Sequence, residues 1–141
     1  GSRKETARGR ALGVADAQAL CPYIVEPYIA SLVTQKIWVS PGAYRVHSIV
    51  VCPRVAGNDG SAVTLAFYKS ASAIAVGSGT ILHYSTADLK GTADTNQTMT
   101  LVPNGTGVLD LSAGDSLGYV LTGTATVALG LIVITAPPTP N

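Results

Sequence analysis

The sequence predicts an all-β protein, a jelly-roll β-sandwich of about eight short antiparallel strands with an extended N-terminal arm. Apolar and polar residues alternate in short runs, turn signals recur about every 8 to 12 residues, and no stretch has the period of a long helix. A chain of 141 residues fits one domain of ordinary size. We therefore expect a basic arm at residues 1–21, one sandwich at 22–136 and a Pro-rich tail at 137–141.

The first half of the sandwich contains strand patterns separated by turn residues. In "QKIWVS", Ile37 and Val39 are expected on one face, and "PGA" then turns the chain into "YRVHSIVVCP". The "GNDG" turn precedes "SAVTLAFYKS", in which Val63, Leu65 and Phe67 share one face. These patterns predict antiparallel strands joined by short connections.

The second half continues with "GTILHYS", "QTMTLVP", "GVLDLS", "SLGYVLTG" and "TVALGLIVIT". The closing "PPTPN" is rich in proline, which cannot donate to a sheet ladder, so we expect it to stay out of the sheets and end the domain. Upstream, "CPYIVEPYIASLV" has two interpretations. It is either an extended segment laid across a partner, through Tyr23, Ile24, Tyr28 and Ile29, or an edge strand of the sandwich.

Charge is scarce in this sequence. Charged residues make up 12% of the chain and hydrophobic residues 47%, whereas an average chain has about 25% charged residues. Too little charge is present to cover a monomer's surface, which predicts a homo-oligomer or a lattice-bound subunit. The longest apolar run, Val127 to Ala136, is about half the roughly 20 residues that a membrane span needs, so we expect a soluble protein.

The few charges are unevenly distributed. Residues 1–10 carry a net charge of +3, and the rest of the chain carries −2. A basic leader without an apolar stripe is typical of an arm, and either a solvated tail or an attachment arm accounts for it. Of the two cysteines, Cys21 precedes the sandwich and Cys52 lies in a strand-like run, which favours two free thiols over a bridge.

The stretch "LSAGDSLGYVL" contains Gly114-Asp115-Ser116-Leu117, the four letters that name a family of serine esterases. A serine nucleophile needs a base and a group that orients the base, but no histidine follows Ser116. Glycine and aspartate are ordinary turn residues, because glycine tolerates positive φ and aspartate caps backbone N–H groups. The pattern therefore favours a turn that leads into a strand.

No other pattern indicates chemistry. His47 and His83 each lie in a strand-like run, and the cysteines and acids lack metal-ligand spacing. We expect no catalytic site, no cofactor and no metal, and neither nucleic acid nor membrane as a partner. The sequence favours a binding or structural role.

An ordered set of stretches resembles the jelly-roll decoration, or cementing, proteins of tailed-bacteriophage heads. They are "KIWVSPGAYRVHSIVVCP", "GSAVTLAFYKS", "SGTIL", "LKGTADTNQTMTLVPNGTGVLDLSAGDSLGYVLTGT" and "GLIVIT". The resemblance implies a non-enzymatic homotrimer on the outer surface of the virion capsid, where it staples major capsid subunits together. Candidate capsid contacts are Arg3, Lys4, Arg8 and Arg10 of the arm, with Tyr23 and Tyr28 after it.

Two alternatives use the same fold. A head-fibre or tail-spike module would bind a receptor or glycan, and exposed aromatic side chains are its usual sign. A secreted trimeric signalling jelly roll is disfavoured because the N-terminus has no signal-peptide pattern.

Overall fold

The computed structural model describes residues 23–29 and 31–139, which contain eleven β-strands and one short 3₁₀ helix. The strands are β1 (Tyr23–Tyr28), β2 (Gln35–Val39), β3 (Tyr44–Arg45), β4 (Ser48–Val55), β5 (Thr64–Ser70), β6 (Thr80–Ile81), β7 (Ala87–Asp88), β8 (Gln97–Thr98), β9 (Asp110–Leu111), β10 (Ser116–Thr122) and β11 (Leu129–Thr135). The 3₁₀ helix spans Val76–Ser78. The prediction of an all-β fold is confirmed, while the predicted arm lies outside the described residues.

The strands form two main antiparallel sheets. One has the order β1-β11-β4-β8, and the other has the order β2-β10-β5-β6, with β7 also paired to β5. The first described strand thus pairs with the last, and the second pairs with the next to last. This nested order, with the chain crossing between two sheets, is the jelly-roll arrangement that the sequence predicts. A small ladder of β3 and β9 lies apart from these sheets.

The core is formed by the faces that the two sheets turn toward each other. In the four-stranded sheet, Ile134 of β11 lies opposite Ile49 of β4, and both are fully buried. In the other sheet Leu65 and Phe67 of β5 are fully buried, as is Val63 directly before this strand, which confirms their predicted common face. Successive strand residues point to opposite faces, so this one alternating set fills the space between the sheets.

Strand β2 departs from the predicted alternation. Leu117 of β10 pairs with Trp38, but the next residue, Gly118, pairs with Lys36, so Ile37 is an extra residue in the ladder. Such a bulge interrupts the two-residue period and bends the strand. Ile37 accordingly packs against the core while Val39 is exposed.

The C-terminal tail belongs to no strand of the sheets, but it pairs with β3 through an isolated bridge, which the sequence does not predict. Pro138 forms an antiparallel bridge with Tyr44 of β3, and the Arg45 amide donates to the Pro137 carbonyl over 3.0 Å. Proline lacks an N–H group but keeps its carbonyl acceptor, so it can pair where only acceptors are needed.

The close approach of β10 to β2 depends on Gly118. A Cβ atom there would lie 2.6 Å from the Gln35 carbonyl oxygen and 2.9 Å from the Lys36 Cα, both backbone atoms of β2. We predict that Gly118→Ala lowers the free energy of unfolding by about 1 to 3 kcal/mol, since β2 must move away. Urea unfolding measures this. Gly60→Ala is the control, because a Cβ at Gly60 meets nothing within 4 Å, and an equal loss in both variants would contradict this account.

Candidate functional site

One face of the four-stranded sheet points away from the core, and no other described part of the chain covers it. Its residues are those that alternate with the buried set on β1, β11 and β4. In register they form three cross-strand rows, which together we call the outer face: Tyr23, Thr135 and Ser48; Val25, Val133 and Val50; and Pro27, Leu131 and Cys52.

The three rows of the outer face are mainly apolar and contain no charged side chain, and Arg54, two residues after Cys52 on β4, borders them at one end. Tyr23 is 67% exposed, Val25 54% and Leu131 44%. With their half-buried neighbours these side chains expose on the order of 400 Å² of contiguous apolar surface, comparable to the largest patch on a typical monomer, which is often functional. The outer face is therefore a candidate association surface.

The sequence contains a signal for this face in "SIVVCP" and "GLIVIT", which are apolar at both odd and even positions. A strand with one wet face alternates apolar and polar residues, whereas a continuous apolar run is typical of a strand covered on both faces. Val50 and Val133 alternate with the buried Ile49 and Ile134 and are as apolar. The low charge of the sequence predicts assembly, but it does not locate the surface.

A groove of about 320 Å³ lies at one end of the outer face. Pro27, Ile29, Leu129 and Leu131 form its apolar walls. Tyr28 also lines it, and this side chain packs so closely over Gly130 that a Cβ there would lie 2.5 Å from the phenol oxygen. Small-molecule and peptide anchors bind in concave apolar sites of this kind.

The polar side chains of the groove have few partners among the described residues. The Tyr28 hydroxyl is buried and has no hydrogen-bond partner among the described residues. Burial, and secondarily the nearby Cys52 thiol, raises the pKa of Tyr28 to about 12, so the phenol stays protonated and remains a donor. Arg54 and Asp94 line the same groove with opposite charges, and neither forms a salt bridge within the described residues.

The predicted contact residues have different positions. Tyr23 is exposed on the outer face, but Tyr28 is 1% exposed and belongs to the core cluster. The Tyr28 ring is therefore not available for contact with a capsid, in contrast to the sequence-based selection of Tyr28 as a candidate contact. The structure also decides between the two interpretations of this segment in favour of an edge strand, β1 paired to β11. The other predicted contacts, Arg3, Lys4, Arg8 and Arg10, lie outside the described residues, as does Cys21.

Ser116 is a buried structural residue at the start of β10. Its hydroxyl donates to the Ser70 carbonyl over 3.0 Å and lies 3.3 Å from the Ser70 hydroxyl. Gly114 has a φ of +92°, and the Asp115 carboxylate accepts the Ser112 amide over 2.9 Å. The predicted turn at Gly114-Asp115 is confirmed, with glycine and aspartate in the expected roles.

The two histidines also have structural surroundings. His83 is buried, and its Nε2 accepts the Phe67 amide over 2.8 Å. Burial lowers the pKa of His83, and a backbone contact with Ser85 offsets part of this effect. His47 lies exposed between β3 and β4. Within residues 23–29 and 31–139, neither histidine is hydrogen-bonded to Ser116.

The described residues contain no cluster of three or more side chains suited to hold a metal ion. They also contain no helix that is long and apolar enough to span a membrane. Comparison of the chain with protein-family models, with curated proteins and with solved structures finds no match.

The environment of Ser116 predicts a purely structural effect of its substitution. Ser116→Ala removes one buried hydrogen bond and should lower the free energy of unfolding by about 0.5 to 1.5 kcal/mol while the fold is kept. Urea unfolding and hydrolysis of short-chain esters measure the two consequences. Ester turnover by the wild type that disappears in Ser116→Ala would contradict the structural role.

The environment of His83 predicts a pH-dependent stability. Because the folded state resists protonation of His83, the stability that it contributes is complete above the unfolded pKa of about 6.5 and declines as the pH falls below that value. Urea unfolding of the wild type between pH 8 and pH 5.5 should show this decline, and His83→Gln should flatten it. His47→Gln is the exposed control and should keep the decline, so a flattening in His47→Gln alone would show the account to be wrong.

Proposed function

We propose that the protein is a structural protein that decorates the outside of a bacteriophage head, bound there as a homotrimer to the major capsid protein. The observation that carries the proposal is the outer face, a mainly apolar sheet surface that is exposed in the described part of the chain. A surface of this kind favours a subunit of a larger assembly over a free monomer. The sequence's resemblance to head-decoration jelly rolls suggests which assembly it is.

The positions of the candidate contacts support separate roles for the arm and the sheet. Tyr23, where the described chain begins, lies on β1 at the edge of the sheet and is exposed on the outer face. The residues before it include the basic stretch with a net charge of +3. Arginine forms bidentate hydrogen bonds with carboxylates, so Arg3, Arg8 and Arg10 can bind acidic groups on a shell. The arm then serves attachment, and many weak contacts in one trimer add up through their effective concentration.

A receptor- or glycan-binding module of a head fibre or tail spike is the second candidate. The observation in its favour is the exposure of two tyrosines, Tyr23 at 67% and Tyr84 at 63%, since glycan sites use exposed aromatic rings. Trp38 does not add to such a platform, because its ring packs edge-on against Tyr44 with centroids 5.4 Å apart.

The experiment is cosedimentation of the purified protein with undecorated heads of the phage that carries its gene. We predict saturable binding to the heads, and we predict that deletion of residues 1–20 weakens this binding at least about tenfold while thermal stability is unchanged. Binding by the full chain should also weaken more steeply with salt than binding by the truncated chain.

A chain of full length with Arg3, Arg8 and Arg10 changed to glutamine is the matched control, because it keeps the length of the arm and removes most of its positive charge. It should bind heads as weakly as the truncated chain. Absence of head binding at micromolar concentration, together with specific binding on a glycan array, would replace the decoration proposal by the glycan-binding one. Equal binding by the truncated and full chains would remove the role of the arm.

A further inference from the structure

We propose that the outer face and its groove form the interface at which a second copy of this chain binds. This inference rests on the proposed function and deepens it, because it assigns the uncovered sheet surface to contacts between copies within the trimer. The groove supplies a second observation at the same place, since it is an apolar concavity that Arg54 and Asp94 border with opposite charges.

The composition of the outer face is that of an interface centre. Its middle is the row of Val25, Val133 and Val50, flanked by Leu131 and Cys52. The centre of an interface between proteins is depleted in charge and rich in apolar side chains, whereas its rim is polar. In a cyclic trimer the outer face of one copy meets a different surface of the next copy, and a contact that covers about 400 Å² on each side buries on the order of 800 Å². The rim brings this toward the roughly 1,200 Å² of a small specific interface.

The charges beside the groove are complementary to those of another copy. Arg54 and Asp94 border the groove with opposite charges and are not paired with each other or with any other described residue. A partner with charge of one sign would match only one of the two residues. Another copy of the chain presents both, so that Arg54 of one copy can meet Asp94 of the next, as a cyclic assembly of identical subunits requires.

The first test changes the centre of the outer face. Val25→Lys places a charge there, and we predict that it weakens self-association at least about tenfold in light scattering or sedimentation equilibrium. The matched control is Val39→Lys, since Val39 is 61% exposed on β2 of the other sheet and Val25 is 54% exposed on β1. The control should associate as the wild type does. Equal association by all three chains overturns the proposal.

The second test distinguishes contacts between chains from contacts within one chain. Arg54→Asp and Asp94→Arg should each weaken self-association, because each places like charges at the contact. Mixing the two variants should restore association above that of either alone, since the carboxylate introduced at position 54 of one chain then faces the guanidinium introduced at position 94 of the other. A pair within one chain cannot produce such rescue on mixing, so its absence contradicts a contact between copies.

These measurements use the free protein and no capsids, so their outcome is separate from head binding. A protein that self-associates through the outer face but does not bind heads keeps this inference and loses the decoration proposal. A protein that binds heads but is monomeric at tens of micromolar, or whose association is insensitive to Val25→Lys, keeps the decoration proposal and loses this inference.

Discussion

The pairing of β11 with β1 on one side and β4 on the other is the interaction on which the rest of the structure depends. It joins the first described strand to the last and closes the four-stranded sheet of the jelly roll. Ile132 and Ile134 on one face of β11 fill the core, while Leu131 and Val133 on the other face form the middle of the outer face. The strand that stabilises the sandwich thus also makes an apolar surface that the described chain does not cover.

This double role connects stability with assembly. Removing apolar surface from water is favourable by about 25 cal/mol per Å², so covering an exposed patch of several hundred Å² can supply binding free energy. Charged side chains keep soluble proteins from associating, and this chain has only 12% of them. Under the proposal that copies associate through the outer face, β1, β4 and β11 contribute both to the core and to the contact between copies.

The sequence predicts the local features of this fold and misses those that depend on contacts distant in sequence. Val63, Leu65 and Phe67 alternate as a strand requires, and the Gly114-Asp115 turn follows from the conformational freedom of glycine and the capping by aspartate. The bulge at Ile37 and the burial of Tyr28 over Gly130 were not predicted, because each is set by a neighbouring strand far along the chain. The apolar runs indicate two covered faces, but pairing alone identifies which residues form the outer one.

The most direct measurement of the central claim is the reactivity of the Cys52 thiol on the outer face. In a Cys21→Ser chain, Cys52 is the one remaining cysteine, and its rate of alkylation reports how often the outer face is open. The account predicts that this rate falls as the protein concentration rises through the range in which copies associate. A rate that is independent of concentration, in a protein that light scattering shows to be oligomeric, would contradict the account and place the contact between copies elsewhere.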